Sequence, residues 1–127
     1  MSKAFALMIC ALGVATAHAD EPNGRALFAA HCASCHGIDG EGGGPVAAAM
    51  VIAPPNLRAL AARAGGTFPA ESIAAYIDGR TAPAAHGSRS MPVWGSFLRA
   101  DEAEGSKTIG RARMTALVEF IRELQYR

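Results

Sequence analysis

The sequence lacks a charge excess of either sign, an internal repeat and any sustained alternation of apolar and polar residues. It holds 12 basic and 11 acidic side chains among 127 residues, whereas a nucleic-acid-binding chain typically concentrates basic charge in a patch or stripe. The missing alternation argues against a strand-based architecture, and no long linker divides the chain. These absences indicate one helical domain that does not bind nucleic acid.

The longest apolar stretch covers residues 4–15, which is too short for a membrane span because the hydrocarbon core requires about 20 apolar residues. Lys3 precedes this stretch, and Ala17-His18-Ala19 places small residues where a signal peptidase cleaves. The pattern predicts a cleavable signal peptide over residues 1–19 and a mature domain over 20–127. The protein is therefore expected in the periplasm, with no stable membrane insertion of the mature chain and with equal numbers of basic and acidic residues.

Cysteine is scarce as well. Of three cysteines, Cys10 would leave with the signal peptide, and Cys32 and Cys35 remain. His36 follows at once, so that Cys32-Ala33-Ser34-Cys35-His36 has the C-x-x-C-H pattern of covalent haem attachment. The two thiols can form thioethers with the vinyl groups of one haem c, and His36 can offer Nε2 to the iron. A thioredoxin-like pair would need a βαβ setting, a zinc site would need a second pair of ligands, and a plain disulfide would not need the histidine.

Helical periodicity dominates the rest of the chain. A helix is predicted after Pro22 and Asn23, and a short one near residues 57–63. Another is bounded by Pro69 in its first turn and Gly79 past its end. The last predicted helix leads to the C-terminus, and its apolar face consists of Met114, Leu117, Val118, Ile121 and Leu124. The predicted fold class is all-α, with three to five helices joined by long loops. So much loop leaves little apolar surface for a core of helices alone, and a large flat apolar cofactor is expected in the middle.

A second axial ligand would decide what such a haem does. With one protein ligand a haem can bind gases or peroxide, whereas two ligands suit it to electron transfer. The candidates are Met50, Met91, Met114 and His86. Met114 lies on the apolar face of the last predicted helix, and Met50 and His86 have alternative roles in packing and in a loop hydrogen bond. Met91 lies in a loop directly before Pro92, whose rigid ring can hold the thioether against iron.

On these motifs the chain resembles a class I c-type cytochrome over residues 22–126. The resemblance implies the class I cytochrome c fold around one covalently bound haem. In that family a glycine and an aromatic residue precede the first cysteine by eight and four positions, where Gly24 and Phe28 stand in this chain. The family's C-terminal helix crosses the first helix through residues that match Leu117 and Phe120, and a glycine at the crossing lets the two backbones approach closely.

The resemblance also implies roles for residues around the haem. Met91-Pro92 is similar to the family's ligand segment, which makes Met91 the axial ligand opposite His36. The segment Pro54-Pro55-Asn56-Leu57 is similar to one in which a proline carbonyl accepts the Nδ1–H of the ligand histidine. Pro55 is thus the expected acceptor, and Leu57 is expected to form a wall of the haem crevice.

Three further side chains are candidates for contact with the haem. Trp94 could donate its indole N–H to a propionate or shield the ring. Arg80 and Arg89 are candidate propionate partners, because a guanidinium can bind a carboxylate through two hydrogen bonds.

Together these features predict a one-electron carrier rather than an enzyme. No distal acid–base pair supports peroxide chemistry. The alternatives are a haem enzyme or gas-binding protein, a disulfide redox protein, and the small cytochrome subunit of a dehydrogenase or reductase. The expected partners are redox proteins, namely a dehydrogenase or reductase as donor or acceptor, or a terminal oxidase, bound through a small and transient interface.

Overall fold

The computed structural model describes residues 22–81, 90–99 and 107–126. Within these ranges it contains six α-helices: α1 (Gly24–His31), α2 (Ala33–His36), α3 (Leu60–Arg63), α4 (Ala70–Asp78), α5 (Gly95–Leu98) and α6 (Lys107–Glu123). Two 3-10 turns, Ala47–Ala49 and Leu57–Ala59, complete the regular structure, and the described ranges hold no strand. The predicted all-α class is confirmed. Helix α3 lies in the stretch 57–63 where a short helix is predicted. The helices outnumber the three to five expected because α2 and α5 have only four residues each, too few for periodicity to reveal.

The first two helices are separated only by Cys32. Helix α1 begins after Asn23, whose side-chain oxygen accepts a hydrogen bond from the backbone N–H of Ala26 at 3.0 Å and so satisfies one of the free donors of the first turn. The backbone N–H of Cys32 still bonds to the Phe28 carbonyl at 2.8 Å. Helix α2 then continues for one turn and ends at Gly37, which has a positive φ of 75°.

Helices α1 and α6 cross at Gly24, as the resemblance implies. A Cβ at Gly24 would overlap the Ala116 carbonyl oxygen and come within 2.7 Å of its carbonyl carbon, so only glycine allows this approach. Beside the crossing, the rings of Phe28 and Phe120 pack with centroids 5.3 Å apart, and Leu117 is buried. Tight packing at this point fixes the helix that leads into Cys32.

Helix α4 lies within the predicted limits. It follows Pro69 and ends at Gly79, which adopts a left-handed conformation with φ of 81°, the usual C-terminal role of glycine. Ile77 is its buried residue. Helix α4 also packs on α6, where Val118 and Ile121 are buried.

The core built by these helices is small. It consists of Phe28, Cys32, Ile77, Leu98, Leu117, Val118, Phe120 and Ile121. None of the helices in the described ranges is long and apolar enough to cross a membrane. The predicted signal peptide and the candidates His86 and Arg89 lie outside the described residues.

Candidate functional site

The centre of the molecule is a cavity of about 410 Å³. That volume is within the range of about 300–1,000 Å³ typical of small-molecule and cofactor sites. Its lining is predominantly apolar and consists of Cys32, Cys35, His36, Met50, Ile52, Ala53, Pro54, Pro55, Leu57, Leu60, Ile73, Tyr76, Ile77, Ser90, Met91 and Ile121. Residues from α2, α3, α4 and α6 therefore surround one space instead of closing on one another. The flat apolar cofactor that the sequence predicts would occupy this cavity.

The turn that carries the two cysteines and the histidine forms one wall. The Cys32 carbonyl accepts hydrogen bonds from the backbone N–H groups of Cys35 at 3.1 Å and His36 at 2.9 Å. This single helical turn brings all three side chains to the cavity. The spacing of the motif and the geometry of one helical turn thus agree.

His36 is oriented by a backbone carbonyl. The ring is buried, and Nδ1 lies 3.2 Å from the Pro55 carbonyl oxygen. Because a carbonyl oxygen can only accept, Nδ1 carries the proton and Nε2 keeps its lone pair. Burial lowers the pKa of His36 below its ordinary value, more than the hydrogen bond to Pro55 raises it. The imidazole is therefore held neutral, which is the form that binds a metal.

Backbone hydrogen bonds from the glycine-rich loop bring Pro55 to His36. The Gly42 N–H donates to the His36 carbonyl at 2.7 Å, and the Gly44 N–H donates to the Cys35 carbonyl at 3.1 Å. Farther along, the Leu57 N–H donates to the Gly40 carbonyl at 2.7 Å. The loop is thus closed against α2 by main-chain contacts, and the orientation of the histidine does not depend on a long side chain.

The chemistry of the thiols argues against two of the alternatives. Burial, with a smaller contribution from Cys35, raises the pKa of the Cys32 thiol to about 12, whereas a redox-active C-x-x-C pair has a lowered thiol pKa. No group of three or more His, Cys, Asp or Glu side chains in the described ranges could hold a metal ion, which disfavours a zinc site.

Two methionines reach the cavity and a third does not. Met91 and Met50 both contribute to the lining, whereas Met114 packs against the core cluster. Met91 is part of the irregular segment that leads into α5, and the Trp94 N–H of that segment donates to the Ile77 carbonyl at 3.0 Å. The cavity therefore combines one imidazole and a thioether on different segments with two neighbouring thiols, and this set of donors fits haem c.

The comparison with protein-family models decides the family. The cytochrome c model matches residues 22–125, which covers most of the chain and both segments just described. The chain belongs to the cytochrome c family. A comparison with curated proteins finds no significant match, and one with solved structures finds none either.

Family membership gives this cytochrome its cofactor and its general activity. Proteins of this family bind covalently attached haem c and transfer electrons through its iron, and their partners are redox proteins. The all-α arrangement is accordingly the class I cytochrome c fold.

The structure brings six of the seven predicted site residues of this cytochrome to the cavity: Cys32, Cys35, His36, Pro55, Leu57 and Met91. Trp94 differs, because its indole ring packs against His31 and Phe97 with centroids 5.3 Å and 5.4 Å away and does not contribute to the lining. The candidate propionate partner Arg80 donates through Nε to Asp78 at 2.6 Å. A contact of either side chain with the haem propionates stays a prediction.

The sequence interpretation missed part of the lining. Leu60 and Ser90 reach the cavity, as do Ile52, Ala53 and Pro54 of the loop before Pro55. Tyr76 also lines it, on the face of α4 that helical spacing predicts to point inward with Ile73 and Ile77. One signal could have indicated the loop residues, because residues 42–57 contain no charged side chain, which is unusual for a surface loop and consistent with contact to an apolar cofactor.

Proposed function

We propose that this cytochrome is an exported one-electron carrier, not an enzyme, whose haem iron is bound by His36 on one side and Met91 on the other. The observation that carries the proposal is the cavity itself. A neutral imidazole with its Nε2 lone pair available, a thioether and two adjacent thiols all reach one apolar space. This set of donors supports a low-spin iron with two protein ligands, the arrangement suited to electron transfer.

Haem c supplies the iron that accepts one electron and gives it up again. The chain's own residues hold and tune it. Cys32 and Cys35 attach it covalently, and the Pro55 carbonyl keeps the ring of His36 in one tautomer and one orientation. The Met91 thioether raises the reduction potential relative to a second histidine.

The apolar lining is proposed to raise the reduction potential as well. Leu57, Leu60 and Ile77 exclude water from the cavity. A dry apolar surrounding disfavours the additional positive charge of the ferric state. Together with the thioether, it supports a potential well above that of a bis-histidine haem.

Redox partners are proposed to dock at the mouth of the cavity. Ile52 lines the cavity and is also 63% exposed, so the cavity opens to solvent beside this residue. Rapid turnover favours a small interface, below about 1,200 Å² in total. Balanced charge in the mature chain favours weak long-range steering, and we expect association rates to vary little with ionic strength.

The axial methionine is tested with matched substitutions at the two methionines of the cavity. Leucine is close to methionine in volume but has no sulfur. Met91→Leu should abolish the methionine–iron charge-transfer absorption and lower the reduction potential. Met50→Leu should keep that absorption. The opposite pattern would assign the ligand to Met50.

The same spectra test the alternative of an enzyme or gas-binding protein. The wild-type protein should be low-spin in both oxidation states and should not bind carbon monoxide. A high-spin, carbon monoxide-reactive wild-type protein would contradict the proposal for both methionines.

Export is tested by the mass of the mature protein. Cleavage after Ala19 should leave Asp20 at the N-terminus, and the periplasmic fraction should contain the red protein. A protein that retains residues 1–19 in the cytoplasm would contradict this part of the proposal.

A further inference from the structure

Asp78 at the end of α4 is a charged group that the haem site does not use. Only 12% of its side-chain surface is exposed. Its Oδ1 lies 2.5 Å from Arg99 Nη1, and its Oδ2 lies 2.6 Å from Arg80 Nε. The cluster of Asp78, Arg80 and Arg99 therefore consists of one partly buried carboxylate and two exposed arginines.

The position of this carboxylate needs an explanation. Asp78 is the last residue of α4, where the partial negative charge of the helix terminus makes an acidic side chain unfavourable. A carboxylate that is mostly shielded from water at such a place is favourable only with charged partners. The hydrogen bond from Arg99 is the largest of the effects that lower the pKa of Asp78 below its ordinary value, and the carboxylate thus remains ionised at neutral pH.

Of the two arginines, only Arg99 connects α4 to the methionine segment. Arg80 follows α4 by two residues in the same stretch of chain, whereas Arg99 is separated from Asp78 by 21 positions. Arg99 follows α5, and α5 follows the segment that begins at Met91. The Asp78–Arg99 pair therefore joins two parts of the fold that are distant in sequence.

Three further contacts make the same connection. The first is the Trp94–Ile77 hydrogen bond. In the second, Gly95 packs so closely that a Cβ would overlap Asp78 Oδ1 and lie 2.9 Å from the Asp78 carbonyl oxygen. In the third, Val93 packs on Gly79, where an added Cβ would come within 2.6 Å of a Val93 methyl group. The whole segment 93–99 is thus held against the end of α4.

Met91 lies immediately before this anchored segment, with Pro92 between Met91 and Val93. The fixed φ of proline limits the freedom of that link, so the position of the thioether follows the position of segment 93–99. We propose that Asp78 and Arg99 form a positioning pair, which fixes the Met91 segment against α4 and thereby keeps the thioether directed into the cavity. This inference depends on the proposed function, because it assigns a role to the pair only if Met91 binds the iron.

The test uses the purified haem-containing protein and imidazole as an external ligand that competes for the sixth position. We expect Asp78→Asn and Arg99→Gln to bind imidazole about tenfold more tightly than the wild type, which corresponds to about 1.4 kcal/mol. Both variants should also show a weaker methionine–iron charge-transfer absorption. Glu119→Gln is the matched control, because Glu119 pairs with Arg122 at 3.2 Å on the exposed side of α6, and imidazole affinity should not change in this variant.

The reduction potential separates positioning from simple electrostatics. Removing the negative charge of Asp78 should raise the potential if charge alone matters, and removing the positive charge of Arg99 should lower it. Loss of methionine ligation lowers the potential in both variants. A lower potential in Asp78→Asn therefore supports the positioning role, and a higher one overturns it.

Arg80→Gln tests whether the effect is specific to the arginine that connects Asp78 to segment 93–99. This change removes one hydrogen bond from Asp78 but no connection to segment 93–99, and we expect less than a threefold change in imidazole affinity. An effect equal to that of Arg99→Gln would overturn the proposal. If Asp78→Asn does not fold, Arg99→Gln carries the test alone, because Arg99 is 46% exposed and its removal leaves no cavity.

The outcome for the pair is distinguishable from the outcome for the ligand. If the wild type has the methionine–iron absorption and Met91→Leu loses it, Met91 is the iron ligand. That conclusion does not depend on the results for Asp78→Asn and Arg99→Gln. Normal absorption and normal imidazole affinity in both Asp78→Asn and Arg99→Gln would then refute the positioning role alone.

Discussion

The two walls of the cavity that carry the proposed iron ligands are built in different ways. On the histidine side, His36 is held by a backbone hydrogen bond from Gly42 and by the Pro55 carbonyl 19 residues away. On the methionine side, Met91 depends on the contacts of segment 93–99, including an ion pair between Asp78 and Arg99. Main-chain hydrogen bonds contribute to both sides, but only the methionine side also depends on an ion pair with an exposed arginine.

This difference implies unequal local stability. The contacts that hold His36 do not depend on a solvent-exposed side chain, whereas a salt bridge to an exposed arginine contributes little stability. The methionine side uses an arginine that is 46% exposed. Local opening should therefore occur more readily on the methionine side, so that the iron would lose Met91 before it loses His36.

The largest expected effect comes from preventing haem attachment. Cys32→Ala/Cys35→Ala should leave a mature chain that is largely unfolded in solution. Without haem the apolar lining of the cavity would face water instead of the cofactor, and the core that remains is small. The burial that is lost is large compared with the stability of a domain, about 5–15 kcal/mol. Far-UV circular dichroism measures the loss of helix.

Ser34→Ala is the control for this experiment, since Ser34 lies in the same turn, is exposed and leaves both thiols in place. It should retain haem and helix content. Helix of native extent in the double cysteine variant would show that both walls form without the cofactor, and it would remove the basis for ranking their stability.

The next effect concerns the crossing that supports the histidine side. Gly24→Ala should lower the free energy of unfolding by about 3 kcal/mol, because the new methyl group would overlap the Ala116 carbonyl oxygen. Chemical denaturation of the haem-containing protein measures the change. Gly65→Ala is a suitable control, because no atom lies within 4 Å of the added Cβ and only the positive φ of 77° is strained, a cost of about 1–2 kcal/mol. Equal losses in the two variants would contradict the tight crossing.

A third prediction concerns acid and the methionine side. The folded-state pKa of Asp78 is lowered, mainly by the hydrogen bond from Arg99. The carboxylate therefore contributes stability that is complete above its ordinary pKa of 3.8 and is lost as the pH falls towards the lower folded-state value. The stability difference between wild type and Asp78→Asn should shrink over that acidic range, as measured by urea unfolding at a series of pH values. A difference that stays constant through this range would mean that Asp78 is not stabilised by its ionised form.

The histidine side was the more predictable of the two from sequence. The C-x-x-C-H spacing predicted the turn that carries Cys32 and His36, and the resemblance supplied the contact between His36 and Pro55. The turn and the contact could be predicted because each belongs to a short sequence motif with fixed spacing. For the same reason the helix limits at Pro69 and Gly79 could be read directly, since proline and glycine act on the local backbone.

The methionine side was less predictable. Met91 could be proposed because Pro92 follows it, but the pairing of Asp78 with Arg99 has no periodicity and no fixed spacing. The single turn α5 is too short to be stable by itself and forms through tertiary packing. The orientation of Trp94 follows from that packing, which explains why its ring contacts His31 and Phe97 instead of the cavity.

The smallest expected effect comes from the ion pair on the histidine side. Arg58 Nη1 lies 2.6 Å from Glu41 Oε1, with the two side chains 32% and 54% exposed. The guanidinium also stacks on the Tyr126 ring at 4.5 Å and donates to the Leu124 carbonyl at 3.2 Å. Arg58 therefore keeps its other contacts when the carboxylate is neutralised, and Glu41→Gln should change the free energy of unfolding by less than about 1 kcal/mol.

The chemistry of this pair matches that of Asp78 and Arg99, but its carboxylate is several times more exposed. In Glu41→Gln the methionine–iron absorption and imidazole affinity should be those of the wild type. Urea unfolding and imidazole titration of Glu41→Gln beside Asp78→Asn compare the two carboxylates directly. Equal effects on imidazole affinity would mean that the iron site responds to charge loss anywhere on the surface. A response confined to Asp78→Asn would place the control of Met91 at the end of α4, because of these two carboxylates only Asp78 pairs with an arginine that follows the methionine segment.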